Sequence, residues 1–298
     1  MIKILLIGCG YWGKNWYNTI KTSPYELVGV VDPSPSIQVD VPLFDKIEDV
    51  NIDYTHAIIC TNAELHLTIR EKLNCKNVLV EKPCGTDMNR HKLKDCFPGY
   101  IFVSSPQFNI VKNTLDSGTL GKILFSRFER ASMGPRIRTD VSIIDDYLIH
   151  DLYIYQSLFR NTNPKITGKL MNTFDDHIKA DTVFLTVEDD NHISTFFSSW
   201  RFPSKIRRIQ IIGELGSICW ENDQVTLSNS RYERISGNDS YNNRGYNLVE
   251  EPPKTILPVD EKSNLHLQLD DFVNGKDRSE LFENTQTFIR NIKQAIDK

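Results

Sequence analysis

The sequence predicts an α/β protein, with a doubly wound parallel sheet in its N-terminal part, followed by an α+β domain with an open, mainly antiparallel sheet. Up to about residue 104, short apolar runs alternate with helical stretches, as in parallel sheets buried on both faces. A glycine-rich turn follows the first run. After about residue 105, apolar and polar residues alternate over long stretches, which favours antiparallel strands with one covered face. We therefore expect domains over residues 1–104 and 105–298.

The N-terminal strands are predicted from aliphatic runs that end at turn residues. The runs cover residues 2–7, 27–31, 41–44, 56–60, 77–81 and 100–104, and helical stretches cover 13–22 and 63–73. After Asp32, three prolines (Pro33, Pro35 and Pro42) disfavour the helix that usually follows such a strand. Because crossovers between parallel strands are right-handed, the strand C-termini share one edge of the sheet, where ligands bind.

The C-terminal elements are predicted from the change of period. Alternating stretches cover residues 122–130, 181–187, 192–198 and 206–212, and a helical pattern covers 142–159. Residues 221–253 are rich in Asn, Ser, Asp and Gly, so we expect a mobile excursion there. The stretch from about residue 264 to 298 is expected to be helical.

Composition and charge argue against several function classes. The formal net charge is −4, from 35 basic and 39 acidic residues, so we expect no nucleic-acid or membrane partner. The first apolar run is too short for a signal peptide, and no run reaches the roughly 18 residues that span a bilayer. The 6 cysteines show no CxxC spacing, which is typical of reduced thiols. We expect a cytoplasmic protein without a metal site.

The turn after the first strand carries the GxGxxG spacing of dinucleotide-binding Rossmann domains. It reads Gly8-Cys9-Gly10-Tyr11-Trp12-Gly13, between a buried strand and a predicted helix. Gly8 permits the tight turn, Gly10 lets a pyrophosphate approach the backbone, and Gly13 allows close packing of helix and strand. The helix N-terminus, with Tyr11 and Trp12, then offers N–H groups to the phosphates. A purely structural turn is the alternative.

Asp32 ends the second strand, where a ribose-binding acid is expected in this fold. Its carboxylate would accept hydrogen bonds from the adenosine ribose and repel a 2′-phosphate. Residues 33–40 contain no Lys or Arg to neutralise that phosphate. The sequence therefore favours NAD, with NADP less favoured; the alternative is that Asp32 only starts the turn before Pro33.

Two further strand ends carry candidate residues. Thr61, Asn62 and His66 follow the run at 56–60; Glu81 ends the run at 77–81, and Lys82 follows it directly. A lysine at this edge could donate a hydrogen bond to a substrate oxygen or help to move its proton. Taken alone, a lysine next to a proline is usually without function.

Taken together, these motifs resemble the glucose–fructose oxidoreductase/inositol dehydrogenase/MocA (Gfo/Idh/MocA) family. The resemblance rests on the glycine turn, Asp32, Thr61 with His66, and Glu81-Lys82-Pro83. It extends to residues 115–123 and to the stretch from Asp146 to Asp151, similar to a D-x-x-x-H-D helix of the family. It implies an NAD(P)-dependent oxidoreductase acting on CH–OH groups, an NAD(P)-binding Rossmann domain at 1–104, and a substrate-binding and oligomerisation domain at 105–298. It also implies that the strand-end residues bind the cofactor and that a cis peptide precedes Pro83.

By the same resemblance, Lys82, Asp146 and His150 form a catalytic cluster. On a helix, Asp146 and His150 share a face because they are four residues apart. A histidine titrates near neutral pH and can remove a hydroxyl proton, while a lysine steadies the developing alkoxide. Whether Lys82 or His150 is the base stays open, and a surface Asp–His pair is the alternative.

The substrate prediction rests on an arginine-rich stretch before that helix. Arg130, Arg136 and Arg138 concentrate positive charge, and guanidinium groups suit a carboxylate or a diphosphate. The stretch is similar to one in sugar-nucleotide 3-dehydrogenases of the UDP-N-acetylglucosaminuronate type. We expect oxidation of a nucleotide-linked sugar or uronic acid at a hydroxyl. For the arginines, the alternative is that they form solvent-exposed salt bridges. For the protein as a whole, the alternatives are a family reductase acting on an imine, tetrapyrrole or polyol, an NAD-assisted glycosidase, and a non-catalytic nucleotide-binding protein.

The resemblance also implies self-association. Members of this family generally assemble through the open face of the antiparallel sheet. Apolar outward positions in the strands between residues 181 and 212 would then meet a partner sheet. We expect a homodimer or a homotetramer.

Overall fold

The computed structural model describes residues 1–85, 88–133, 141–160, 164–173, 180–189, 192–234, 246–257 and 262–296. The chain divides into two compact units. The first unit comprises Met1–Ser105 and Glu261–Thr287, and the second comprises Pro106–Asp260 and Phe288–Lys298. The sequence pattern does not anticipate the return of the chain to the first unit.

The first unit is built on a six-stranded parallel sheet. Its elements are β1 (Lys3–Ile7), α1 (Tyr11–Lys21), β2 (Glu26–Val31), β3 (Leu43–Phe44), β4 (His56–Ile59), α2 (His66–Lys72), β5 (Asn77–Glu81) and β6 (Phe97–Gly99). The strand order is β3-β2-β1-β4-β5-β6, the doubly wound order of dinucleotide-binding sheets. The order reverses between β1 and β4, so the carboxyl ends of these strands border the crevice in which such sheets bind ligands.

The second unit is built on an eight-stranded, mainly antiparallel sheet. Its elements begin with α3 (Pro106–Asp116), β7 (Ile123–Ala131), α4 (Ile149–Phe159), β8 (Lys165–Met171), β9 (Thr182–Glu188), β10 (Ile193–Ser199), β11 (Ile206–Gly213) and β12 (Ser217–Glu221). They continue with β13 (Gln224–Ser228), β14 (Arg231–Arg234), β15 (Tyr246–Val249) and β16 (Lys254–Ile256). The sheet order is β16-β13-β12-β11-β7-β10-β9-β8, and β7 and β10 are its parallel pair. The predicted fold class is confirmed.

Two helices follow the last strand, α5 (Asn264–Val273) and α6 (Ser279–Ile296). In the first unit, Leu265, Leu269 and Phe272 of α5 pack into the core that Ile4, Trp16 and other residues of the parallel sheet and α1 form. This apolar face is why the chain returns to the first unit. No described helix combines the length and the apolarity that a bilayer crossing requires.

Several predicted elements need correction. The run at 100–104 is not a strand: Ile101–Ser104 is a 3₁₀ helix, and the last strand of the parallel sheet is Phe97–Gly99. Pro98 is tolerated there because β6 is an edge strand. The excursion expected at 221–253 contains strands β13, β14 and β15, of which β14 and β15 form a separate two-stranded sheet. Strands β8 and β12 were not predicted.

One departure from the usual fold is confirmed. Between Asp32 and His56 the chain forms β3 and a 3₁₀ helix at Ile47–Asp49, and no α-helix. The prolines of this segment account for that, because proline cannot donate the backbone hydrogen bonds of a helix interior.

Candidate functional site

The glycine turn combines two tightly packed positions with one open position. A Cβ on Gly13 would lie 2.1 Å from the carbonyl oxygen of Gly8, and Gly8 itself has a φ of +87°. A Cβ on Gly10 would meet nothing within 4 Å. The outer glycines are therefore required by the fold, whereas the middle one leaves an open cradle at the start of α1.

This cradle fits the pyrophosphate of a dinucleotide. Helix α1 begins at Tyr11, and its first turn carries no acidic side chain that would repel a phosphate. The unsatisfied N–H groups and the positive dipole end of a helix N-terminus favour an anion at this place. The side chain of Tyr11 is 90% exposed and that of Trp12 is 39% exposed, so neither is fully buried in the fold.

The carboxylate of Asp32 is fixed at the end of β2. Its Oδ2 accepts the Cys9 N–H at 2.7 Å and its Oδ1 accepts the Ser34 N–H at 2.9 Å. The acid is thus held next to the glycine turn, where a ribose would lie. On α1, Lys21 pairs with Asp40 at 2.8 Å, so an acid of the following loop already neutralises this basic residue.

His66 is fully buried and links the loops that follow β4 and β5. Its Nδ1 accepts the Gly85 N–H at 3.2 Å, so its Nε2 carries the hydrogen and donates to the Thr61 carbonyl at 3.0 Å. Burial lowers the pKa of His66 to about 4. Both ring nitrogens are engaged with backbone, so this side chain holds the loops in place. At the same edge of the sheet, the side chain of Thr61 is half-buried and that of Asn62 is exposed.

Glu81 occupies a similar internal position at the end of β5. Its Oε1 accepts the indole N–H groups of Trp12 and Trp16 at 2.7 Å each, and its Oε2 accepts the Lys82 N–H at 3.1 Å. Burial raises the pKa of Glu81, and these three donors and the charge of Lys82 oppose the rise. Sequence reasoning missed Trp16, although its spacing of four from Trp12 places both indoles on one helix face.

Lys82 is half-buried at the carboxyl end of β5. The peptide bond between Lys82 and Pro83 is cis, as the family resemblance implies. The first unit therefore gathers the glycine turn, Asp32, Thr61, Asn62 and Lys82 at one edge of its sheet, with His66 and Glu81 behind them.

In the second unit, Asp146 and His150 lie on one continuous helical segment. Asp146 is buried within a π-helical stretch, Ile144–Leu148, and His150 is half-buried in α4, which follows directly. Short π-helical stretches inside helices are rare and occur frequently at functional sites. The predicted helix over 142–159 therefore has a local widening that periodicity alone does not indicate.

The predicted arginine cluster is only partly described. Arg136 and Arg138 lie outside the described residues. Arg130 is buried, and its guanidinium forms a bidentate pair with Asp151, with N–O distances of 2.7 to 3.1 Å. Burial raises the pKa of the Asp151 carboxyl, and the charges of Arg130 and Arg207 oppose that rise. Arg130 thus serves an internal ion pair.

Arg207 is a candidate that sequence reasoning missed. It pairs in register with Arg130 across β7 and β11, and its side chain is exposed. On β11, it shares a face with the buried Ile209 and Ile211. The signal was present in the sequence, because an arginine stands at an apolar-face position of an alternating strand.

The described residues contain no group of three or more His, Cys, Asp or Glu side chains that could hold a metal ion. Their six cysteines are all unpaired thiols.

Most of the N-terminal segment of the first unit matches the model of a known protein family. Residues 2–95 match the Gfo/Idh/MocA model, described as an oxidoreductase family with an NAD-binding Rossmann fold. No curated protein matches the chain in sequence.

Solved structures match over nearly the whole chain. A myo-inositol dehydrogenase from Corynebacterium glutamicum has a TM-score of 0.75 at 16% identity, with coverage of 100% of this chain and 97% of that one. A UDP-N-acetylglucosamine 3-dehydrogenase from Acidithiobacillus ferrooxidans has 0.74 at 16%, covering 99% and 97%. An oxidoreductase from Agrobacterium radiobacter in complex with NAD⁺, L-tartaric acid and magnesium has 0.72 at 16%, covering 100% and 96%. At such identities the likeness shows a shared fold.

Proposed function

We propose that this chain, whose residues 2–95 match the model of the NAD-binding Gfo/Idh/MocA oxidoreductase family, oxidises a hydroxyl of a nucleotide-linked sugar or uronic acid to a ketone. One observation carries the proposal. Glu81 is hydrogen-bonded both to Trp12 in the glycine turn and to the backbone of Lys82, so an amine follows the strand end that is tied to the turn. Such an amine would stand at the coenzyme-binding edge of the sheet, where it could stabilise negative charge on a substrate oxygen as hydride leaves the carbon.

The described residues of the first unit account for binding of NAD. The N–H groups at the start of α1 would bind the pyrophosphate above Gly10, and Asp32 would accept hydrogen bonds from the adenosine ribose. Thr61 and Asn62 would border the bound dinucleotide at the end of β4. The coenzyme supplies the hydride acceptor.

We assign the proton chemistry to Lys82, Asp146 and His150. Lys82 would donate a hydrogen bond to the substrate oxygen and stabilise negative charge on it as the hydrogen leaves carbon. The His150 imidazole would accept the hydroxyl proton, and Asp146 would orient that ring or stabilise its charged form. Either Lys82 or His150 can be the base in this scheme.

The substrate class rests on charge and on one structural relative. A sugar nucleotide carries a diphosphate, and a uronic acid adds a carboxylate; both suit arginine. Arg207 is exposed beside the buried Arg130–Asp151 pair and is our candidate for this contact. The UDP-N-acetylglucosamine 3-dehydrogenase among the structural relatives supports the same class.

The test is an assay for reduced nicotinamide absorbance with UDP-linked uronic acids and NAD⁺. It is repeated with 2-oxoglutarate present, so that a tightly held coenzyme can be recycled. Lys82→Ala and His150→Ala should each abolish most of the turnover. Lys76→Ala and His91→Ala are matched controls, because both side chains are exposed and Lys76 lies just before the opposite end of β5.

A second candidate is a polyol dehydrogenase, which the myo-inositol dehydrogenase relative favours. Turnover with free polyols and none with UDP-linked sugars would replace the substrate assignment. If equilibrium dialysis shows that neither NAD nor NADP binds the purified protein, the oxidoreductase proposal fails altogether.

We also propose that the chain forms a homodimer or homotetramer through the outer face of the eight-stranded sheet. Phe184 is 50% exposed there and stacks on Phe197 with ring centroids 4.8 Å apart. Ile193 and Ile212 add exposed apolar area on the same face. Phe184→Asp should convert the oligomer to a monomer in light scattering after size exclusion. For the location of the protein in the cell, we propose the cytoplasm. The unpaired thiols support a reducing compartment of this kind.

A further inference from the structure

The buried carboxylate of Glu81 has an unusual set of partners. Two tryptophan indoles donate to one oxygen, both at 2.7 Å, and the Lys82 amide donates to the other at 3.1 Å. All three partners can only donate, which favours the ionised form of Glu81, an acceptor at both oxygens. Hydrogen bonds to an ionised group are shorter and stronger than neutral ones.

The position of these donors gives the carboxylate a role beyond packing. Trp12 lies within the glycine turn, and Trp16 follows one helical turn later with no exposed surface. Gly13, between them, packs directly on the Gly8 carbonyl. The first turn of α1 is therefore tightly packed on the glycine turn, and the hydrogen bonds of Glu81 connect it to the end of β5.

An apolar side chain would fill the same volume without burying a charge. Burying a carboxylate is costly, and well-packed apolar residues can often replace buried charged groups without loss of stability. What an apolar residue cannot do is fix the direction of the Trp12 indole and of the Lys82 amide together.

We propose that Glu81 is a positioning residue that couples the dinucleotide-binding turn to Lys82. Movement of the turn on coenzyme binding is passed through the indoles to the carboxylate, and from its second oxygen to the Lys82 backbone. The amine is thereby held in place only when the turn is held. This inference rests on the proposed roles of Lys82 and of the glycine turn.

The coupling is tested by NMR on the ¹⁵N-labelled full chain, without any need for turnover. Trp12→Phe removes one indole donor at a residue that does not hydrogen-bond Lys82. We expect it to shift the Lys82 amide signal and speed its hydrogen exchange. Trp220→Phe is the matched control, because that indole donates to the Asn222 carbonyl at 2.8 Å in the second unit. An unchanged Lys82 amide in Trp12→Phe overturns the proposal.

Coenzyme binding gives the second readout. Trp16 is fully buried, so it should sense NAD⁺ through Glu81, and its indole signal should shift on titration of the wild type. In Glu81→Gln the amide has one oxygen and cannot accept at both positions. The NAD⁺-induced shift of Trp16 should then disappear, and turnover at saturating NAD⁺ should fall about tenfold or more. Asp181→Asn, which neutralises another buried carboxylate, should keep both readouts.

A full Trp16 response in Glu81→Gln contradicts the coupling. If the wild type does not bind NAD⁺ in dialysis, the proposed function fails, and the effect of Trp12→Phe on the Lys82 amide still decides the coupling. The two failures are therefore distinguishable.

Discussion

Acidification should destabilise the folded chain through His66, because the buried ring resists protonation. Its folded pKa is about 4, against an ordinary 6.5. Above pH 6.5 the ring is neutral in both states, so its contribution to stability is complete. As the pH falls from 6.5 to 4, His66 is protonated in the unfolded state but stays largely neutral in the folded state, so the free energy of unfolding decreases. Below pH 4 the loss stops growing.

The magnitude follows from proton linkage. A difference of about 2.5 pKa units corresponds to about 3 kcal/mol in full, and to about 2 kcal/mol at pH 5. The hydrogen bonds of the neutral ring to Gly85 and Thr61 are the interactions that protonation disrupts, since a protonated Nδ1 can no longer accept.

The assay is urea unfolding at pH 7 and pH 5, followed by circular dichroism, on the wild type and His66→Gln. The wild type should lose about 2 kcal/mol more between the two pH values than the variant does. His91→Gln, at an exposed histidine, should lose as much as the wild type. Equal pH dependence in the wild type and His66→Gln would refute the reasoning, because other titrating groups cancel in the comparison.

Three further predictions follow from described contacts. Gly10→Ala should keep the melting temperature within a few degrees but weaken NAD binding in dialysis, whereas Gly13→Ala should unfold at a clearly lower temperature because its Cβ would lie 2.1 Å from a backbone oxygen. Arg207→Ala should raise KM for the UDP-sugar about tenfold in steady-state assays, and Arg130→Ala should instead cost about 3 to 5 kcal/mol in urea unfolding by leaving a buried acid unpaired. Asp32→Ala should weaken NAD binding, and in parallel titrations the ratio of the dissociation constants for NADP and NAD should fall about tenfold.

The sequence could predict much of the first unit because its signals are local. The glycine spacing, the aliphatic runs and the acid after β2 each lie within a few residues of the feature that they predict. The strand at Phe97–Gly99 was missed because three residues with a central proline carry no period, while Ile101–Ser104 gave a stronger apolar run that forms a 3₁₀ helix.

The candidate site was predictable in its residue types and less so in their roles. His66 and Glu81 were expected to bind the cofactor, but their side chains are buried and engaged with backbone and indole groups. Burial of a polar side chain depends on which distant element covers it, and one sequence does not specify that. Arg130 was expected to contact the substrate. Its internal ion pair was not predicted, because its partner Asp151 lies 21 residues later on another element.

The return of α5 to the parallel sheet constrains how this protein can be made. Leu265, Leu269 and Phe272 complete a core whose other members belong to the first hundred or so residues. During synthesis the nascent sheet must therefore wait for nearly the entire polypeptide before its last apolar surface is covered. A fragment ending at Ser105 would expose that surface, so it should be prone to aggregate rather than serve as an independent nucleotide-binding module.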